Sequence, residues 1–381
     1  MPKPAEIAYQ CAPVICQKVN NDNPRGDFIT RVDFTDPGNM KSMTGNWPAV
    51  NAPVTTEKEW KKITKSPSPK FTHRLLPYVY YSVAETHTHY FVLYAIYHPQ
   101  DWERAQTPWT PKGPRWRSGT EHEHDMEGAL VVVGKRDRLE DLRADAMITI
   151  SHWWFYSYAN WHLKDLKGKE VPVFSKPTEN RYRGSRVNRE NLDGKLWAIW
   201  HIDENAKETM RPKLFVQAKG HGVRGDKDHW SGGSRIVRYC PSPNPGAAEE
   251  PTFSENNKKP SVRLFHRDSL RGPGQDVKSD VCRYGLIDIF APKDAGGLWK
   301  NRDNRRVFLV DDRGQDCFVA HKSKGKGFEA GSAKPPWSWD DCDDRHTSGE
   351  LALQPAHITY DYLSGLREFS REYVRNPYLG I

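Results

Sequence analysis

Glu121-His122-Glu123-His124-Asp125-Met126-Glu127-Gly128 places two imidazoles and a crowd of carboxylates inside a segment otherwise built to be extended. Before it runs Tyr90-Phe91-Val92-Leu93-Tyr94-Ala95-Ile96-Tyr97, and after it Ala129-Leu130-Val131-Val132-Val133. Both flanks are rich in the aromatic and β-branched residues that suit a pleated, packed surface. Like charges crowded between two strands are costly unless a cation or a shared proton offsets them. The stretch therefore predicts a divalent metal site held between two strands, and it commits the chain to a β architecture.

The remaining patterning agrees. Gly 28 and Pro 28 in 381 residues supply turns at a density that suits short strands better than long helices. Phe28 to Phe34 alternates apolar and polar residues with period two, which predicts a half-buried strand. Tyr78 to Thr86 and Thr88 to Tyr97 predict a hairpin, and Gly128 to Gly134 a buried strand. Ala146 to Tyr158, Lys195 to His201, Leu214 to Lys219, Leu286 to Phe290 and Val307 to Val310 continue the strand pattern. Residues 5–19 read as a helical turn running into a strand, and Glu57 to Lys65 as a short helix. Tyr362, Leu363, Leu366, Phe369 and Tyr373 fall at helical spacing, so Asp361 to Val374 is expected to be helical. The fold class is all-β: an antiparallel β-sandwich with long loops and a short C-terminal helix. One domain is expected across 1–381, its core at about 5–240, with 241–381 adding strands, loops and the helix packed on that core.

Composition narrows the function classes. Mean hydropathy is −0.82 with 36% hydrophobic residues, a thin aliphatic content. Aromatics at 12% offset it, since each large ring buries roughly 150–250 Å². A net charge of +8 permits attraction to anionic polymers or membrane surfaces, giving an anionic or sugar-containing polymer or lipid headgroup as the expected partner. The basic residues are scattered and match no nucleic-acid module, so nucleic acid is not expected. There is no apolar run long enough to span a membrane as a helix. The N-terminus lacks the apolar core of a signal peptide, so the protein is expected to be secreted after removal of a signal, with the cytoplasm as the alternative. Cys11, Cys16, Cys240, Cys282, Cys317 and Cys342 form no C-x-x-C pair. They fit up to three disulfides of an exported protein, with Cys11–Cys16 and Cys317–Cys342 as candidate pairs, or else free core thiols.

Three clusters carry candidate chemistry. In the first, Asp125 and Glu127 share a face of an extended chain, His122 and His124 precede them, and Asp101 follows the preceding strand. Mixed oxygen and imidazole donors suit Mg²⁺, Ca²⁺ or Mn²⁺, or Zn²⁺ if fewer groups bind. In the second, Glu85, His87 and His89 alternate along one face, either as a His-x-His zinc pair or as hairpin histidines satisfied locally. In the third, His221 sits between Gly220 and Gly222 at a strand end, either as a ligand or base or as a turn histidine. His152-Trp153-Trp154 and the other Trp–His neighbours are expected in core packing. There is no G-x-S-x-G elbow, P-loop or dinucleotide fingerprint.

The order strand, Pro99-Gln100-Asp101, loop, His122-x-His124-Asp125-x-Glu127, apolar strand resembles the necrosis- and ethylene-inducing-peptide-like proteins, whose hallmark reads GHRHDWE. Glu121, Glu123 and Met126 stand where that hallmark has Gly, Arg and Trp. The layout also resembles vacuolar-sorting-associated β-sandwich proteins, with Ala12-Pro13-Val14 near the start and Lys219-Gly220-His221 closing a strand. The resemblance implies a divalent cation bound by Asp101, His122, Asp125 and Glu127. The expected activity is a metal-dependent hydrolase or lyase acting on a glycan, phosphoester or lipid headgroup. His124, His221 and Glu85 are its expected acids or bases, and His87, His89, Trp102 and Glu123 its substrate contacts. The alternatives are a secreted glycan- or lipid-binding, membrane-damaging module whose cation bridges to the headgroup, and a purely structural cation.

Overall fold

The computed structural model describes residues 2–19, 26–32, 34, 75–101, 122–142, 144–152, 154–159, 180–182, 185–187, 196–200, 208–225, 235–244, 248–249, 251–254, 261–263, 281–305, 307–311, 313–318, 333–340, 348–363 and 369–381. The expected helix at Glu57 to Lys65 lies outside them, as does Trp102.

A helix, α1 (Pro4–Cys11), leads into β1 (Val14–Val19), β2 (Tyr78–Thr86), β3 (His89–Asp101), β4 (His122–Gly134), β5 (Ala144–Ser151) and β6 (Trp154–Ala159). Then follow β7 (Asn180–Tyr182), β8 (Ser185–Val187), β9 (Leu196–Trp200), β10 (Glu208–Val216), β11 (Val223–Arg224) and β12 (Arg235–Pro241). The chain continues with β13 (Thr252–Ser254), β14 (Ser261–Arg263), β15 (Val281–Asp288), β16 (Phe308–Val310) and β17 (Asp316–Phe318). It closes with α2 (Glu350–Leu353), α3 (Pro355–Tyr362) and β18 (Tyr373–Arg375). Among the described residues strand dominates over helix, as the patterning predicts.

The main sheet runs β11-β10-β1-β12-β15-β2-β3-β4-β5-β6, with β9 on β10 and β18 on β2. Three of its pairs are parallel, β1 with β10, β12 with β15 and β15 with β2, which corrects the expectation of an antiparallel arrangement. Alternation along a strand fixes which face is buried but not the direction of its neighbour, so sequence pattern could not reveal this. β15 ties the two halves together. Val281 to Tyr284 pair with β12 and Gly285 to Asp288 pair with β2, so the strand changes neighbours midway. It comes from residues 241–381, expected to add strands to the core, and it sits in the middle of the strand order.

The long ribbon is β3 with β4, in unbroken register from His89↔Gly134 to Asp101↔His122. A two-residue turn, His87-Thr88, joins β2 to β3, and the Thr86 hydroxyl accepts the His89 N–H at 3.2 Å. Gly128 is obligatory in this ribbon, because a Cβ there would lie 1.9 Å from the Tyr94 carbonyl oxygen. One hydrophobic core reaches from Ile7 on α1 through Phe91, Leu93, Val131 and Ile148 to Phe308, Ile358 and Phe369.

Three other expectations are corrected. The described residues of Phe28 to Phe34 make an isolated bridge, Thr30 to Tyr97, in place of a strand, with Phe28 and Ile29 buried beside it. The C-terminal helix lies earlier than expected: α3 starts at Pro355, which suits a first helical turn, and ends at Tyr362. Tyr373, counted towards the helix, instead pairs with Thr86 on β2. The disulfide expectation fails for Cys11, Cys16, Cys240 and Cys282, which are thiols. Cys342 lies outside the described residues.

Candidate functional site

The ribbon register decides what faces what. His98 stands directly across from Asp125 and Ile96 from Glu127, so Asp125, Glu127 and His98 share a face. That face meets the turn between β10 and β11, which carries His221. The His221 imidazole is fully buried, and its Nδ1–H donates to Asp125 Oδ2 at 2.8 Å while its Nε2–H donates to Asp27 Oδ1 at 3.2 Å. Burial alone lowers the pKa of an imidazole. Here the hydrogen bonds and charges of Asp125 and Asp27 more than reverse that and push His221 up to about 10.

His98 lies flat against it, ring centroids 3.8 Å apart and planes 5° apart. Burial and the His221 charge hold His98 well below the usual imidazole range. Gln17 fixes its tautomer. The Gln17 amide nitrogen donates to the carbonyls of Lys18 and Gln217, so its oxygen is the acceptor for His98 Nε2–H at 2.9 Å. That leaves the buried His98 Nδ1 lone pair with no hydrogen-bond partner among the described residues.

Glu127 joins two turns. One oxygen accepts the His152 N–H at 2.9 Å and the other the Val223 N–H at 3.1 Å. Burial, then the charge of Asp125, and more weakly that of Asp101, hold its carboxyl well above the usual carboxylate range. Asp27 likewise accepts the Lys219 N–H at 2.7 Å. The non-glycine residues at positive φ among those described are His124 (62°), His152 (58°), Lys219 (77°) and His221 (51°). Three of the four bond directly to Glu127, Asp27 or Asp125, and the fourth is within the motif. Each costs of order 1–3 kcal/mol, and strain of this kind collects where a fold is held for function.

The positive φ at His124 turns its side chain away from the acids. Its Nδ1 is hydrogen-bonded to the Tyr97 hydroxyl at 2.6 Å, and its ring stacks on Phe318 of β17 with centroids 5.3 Å apart. Trp339 donates to the Met126 carbonyl at 2.9 Å on the same ribbon. The back of the motif is thus closed by C-terminal aromatics.

The structure therefore gathers Asp125, Glu127 and His221, with Asp101 buried close enough for its charge to act on Glu127. His122 and Glu123 belong to β4 opposite Asp101 and Gln100, and their side chains lie outside what is described. Glu85, His87 and His89 are at the far end of the ribbon. Glu85 pairs with Tyr90, eight residues along β3 from His98, a separation of about 27 Å. Glu85 is tied to Lys135 at 2.5 Å, His89 packs on Phe369 with centroids 4.8 Å apart, and His87 is exposed. Sequence reading passed over Asp27, Gln17, His98 and Gln217, and counted His152 among the packing residues. Of these only His152, beside Ser151 at a hairpin end, and His98, in His98-Pro99-Gln100-Asp101, stood within stretches that drew attention.

A divalent cation is tested by its donors. The oxygens of Asp101, Asp125 and Glu127, the raised carboxyl of Glu127 and the unpaired His98 Nδ1 suit a hard cation with mixed ligands. Among the described residues, no three His, Cys, Asp or Glu side chains already stand together as a ligand set.

No protein-family profile matches the chain, and no curated protein matches it. Among solved structures it is similar to NLPPya in complex with mannosamine, at 13% identity over 62% of this chain and 73% of that one, with a TM-score of 0.22. It is also similar to Necrosis and Ethylene inducing Protein 2 from the causal agent of cocoa's Witches Broom disease, at 14% identity over 62% and 72%, with a TM-score of 0.21. At such TM-scores the similarity carries no argument, and nothing among these matches supports the vacuolar-sorting resemblance.

Proposed function

We propose that the chain is a single-domain β-sandwich binding module that takes a glycan or lipid headgroup at the Asp125–Glu127 site, with a divalent cation between protein and ligand. The donors assigned to the cation are Asp101, His122, Asp125 and Glu127. When bound, a hard cation supplies positive charge beyond that of His221 and open positions for ligand oxygens. The hydrogen bond Gly225 to Tyr158 ties the β11 end of the strand order to β6 at the other, so the sheet curls back on itself. An extracellular place of action goes with this reading, since sugar headgroups face that side.

One observation favours binding over hydrolase or lyase chemistry: the ionisable groups expected to act as acids and bases are immobilised. Proton transfer needs a group within reach of the ligand and able to change its bonding. His221 is locked between two carboxylates, His124 is stacked behind the motif, and Glu85 is about 27 Å away in an ion pair. Fixing groups before the ligand arrives is what a binding site requires, because it lowers the ordering cost of association.

Sedimentation with vesicles tests this directly. Binding to vesicles carrying a glycosylated headgroup, lost in chelator and absent on plain phosphatidylcholine, is expected with no product formed. Cation-dependent cleavage of any glycan, phosphoester or lipid in a broad panel would restore the enzyme reading.

A further inference from the structure

We propose that the turn after β15 and the hook at residues 376–381 together form a docking surface for an acidic protein segment carrying an apolar anchor residue. The surface lies apart from the cation site, and the inference does not depend on the binding reading above.

The turn, residues 289–305, is held by its own hydrogen bonds. The buried Asn301 side chain donates to the Gly297 carbonyl at 2.8 Å and to the Lys293 carbonyl at 3.3 Å. The Trp299 N–H donates to the Ile289 carbonyl at 2.9 Å. This frame displays Lys293, Lys300, Arg302 and Arg305, all exposed, against the carboxylates of Asp294 and Asp303. Lys293 is paired with Asp303 at 2.8 Å, whereas Lys300, Arg302 and Arg305 enter no ion pair among the described residues. The Arg302 guanidinium lies 4.1 Å from the centroid of the half-buried Trp299 ring. A guanidinium stacked in this way keeps its N–H edge for a carboxylate and has less freedom to lose on binding one.

The apolar half adjoins it. The Tyr378 ring packs on Phe290 and Trp299 with centroids 4.7 Å and 5.4 Å apart. Leu379 and Ile381, next to it in the chain, are 50% and 60% exposed, and among the described residues the other exposed large hydrophobics are Val310 and Val374. They are held in place, because the Leu379 and Ile381 N–H groups donate to the Asn376 carbonyl at 3.1 Å and 3.2 Å. Aliphatic side chains beside a half-exposed Trp, a Tyr and an Arg, edged by cations, have the anatomy of a protein interface. The cations select an acidic segment, and Leu379 and Ile381 select one with an apolar side chain to bury. A phosphate polymer would leave those two uncovered and would meet Asp294 and Asp303 among the cations.

The surface is separated from the motif by a file of rings. From His124 it runs to Phe318 at 5.3 Å, Phe308 at 4.8 Å, Trp337 at 6.0 Å and Trp299 at 5.0 Å. It lies on the side to which His124 points, away from Asp125 and Glu127.

Fluorescence anisotropy with dye-labelled synthetic peptides tests the surface, using one of alternating Glu and Leu, one of Glu alone and one of alternating Lys and Leu. The Glu–Leu peptide is expected to bind saturably, and the other two at least about tenfold more weakly. Lys300→Ala with Arg302→Gln, and separately Leu379→Ser with Ile381→Ser, are each expected to weaken it about tenfold. All four positions are exposed, so the melting temperature is expected to stay at the wild-type value in both double variants. No saturable binding of the Glu–Leu peptide, or binding unchanged in either double variant, overturns the proposal. A Glu-only peptide that binds as tightly also overturns it, since charge alone then accounts for the contact. Preference for phosphatidylserine vesicles over the peptide does the same, because the surface would then be a membrane contact.

Discussion

His221 lies stacked on His98, the two imidazoles 3.8 Å apart and nearly coplanar, one charged and one neutral. The pair fills the space between Asp27 on one side and Asp125 on the other, so the centre of the site is an imidazolium held by two carboxylates. Replacing His221 with leucine removes the charge and leaves both acids buried without their imidazolium partner. A loss of about 3 kcal/mol or more is expected in denaturant unfolding, since breaking a buried pair strands its partner. A smaller loss for the double variant His221→Leu with Asp27→Asn is the second half of the prediction.

Gly128→Ala is expected to cost about 3 kcal/mol, because its Cβ would meet the Tyr94 backbone at 1.9 Å and overpacking against backbone cannot relax through a rotamer. The denaturant midpoint is the measurement. Gly314→Ala, where nothing lies within 4 Å but φ is +78°, is expected to cost only about 1 kcal/mol.

The acid limb of stability is expected to come in part from His89. Burial, with help from Arg136 and Lys135, lowers its pKa to about 4, although Asp145 lies 4.0 Å from its Nε2. The unfolded chain binds a proton at this residue below pH 6.5 that the folded chain refuses. Its contribution is therefore intact above pH 6.5 and falls away towards pH 4, by about 3 kcal/mol. Melting temperature against pH is expected to fall across that window, and His89→Phe to flatten the fall. The Thr88 hydroxyl beside Nδ1 and the Phe91 and Phe369 rings also face it.

Much of this could be foreseen and some could not, for physical reasons. The Tyr78–Thr86 strand was legible to the residue because six of its nine side chains are aromatic or β-branched, and Asp125 with Glu127 on one face follows from period two. His124, expected among the acids and bases of the site, is instead received behind the motif by Tyr97 and Phe318. Asp27 carries no motif; it matters because a distant turn brings His221 to it across 194 residues. β15 reads as an ordinary strand, and nothing in Val281 to Asp288 announces that it changes neighbours at Gly285. Local pattern reports burial and period. Pairing partners and long-range polar contacts are set by the whole chain.

The thiols offer an inexpensive check. Burial pushes Cys11 and Cys240 up to about 12 and Cys16 to about 11, so all three are unreactive while the fold is intact. Alkylation in denaturant without reductant, followed by peptide mapping, is expected to modify Cys11, Cys16, Cys240 and Cys282. Protection of any of these four from modification would mean that it is disulfide-bonded.

The central claim is that the acids around Glu127 take a divalent cation. Calorimetric titration of calcium, magnesium or manganese into chelator-treated protein tests it most directly. A saturable heat with a raised melting temperature, both abolished in Asp125→Ala, is the expected result. No heat from any of the three ions, with a melting temperature indifferent to chelator, would contradict it.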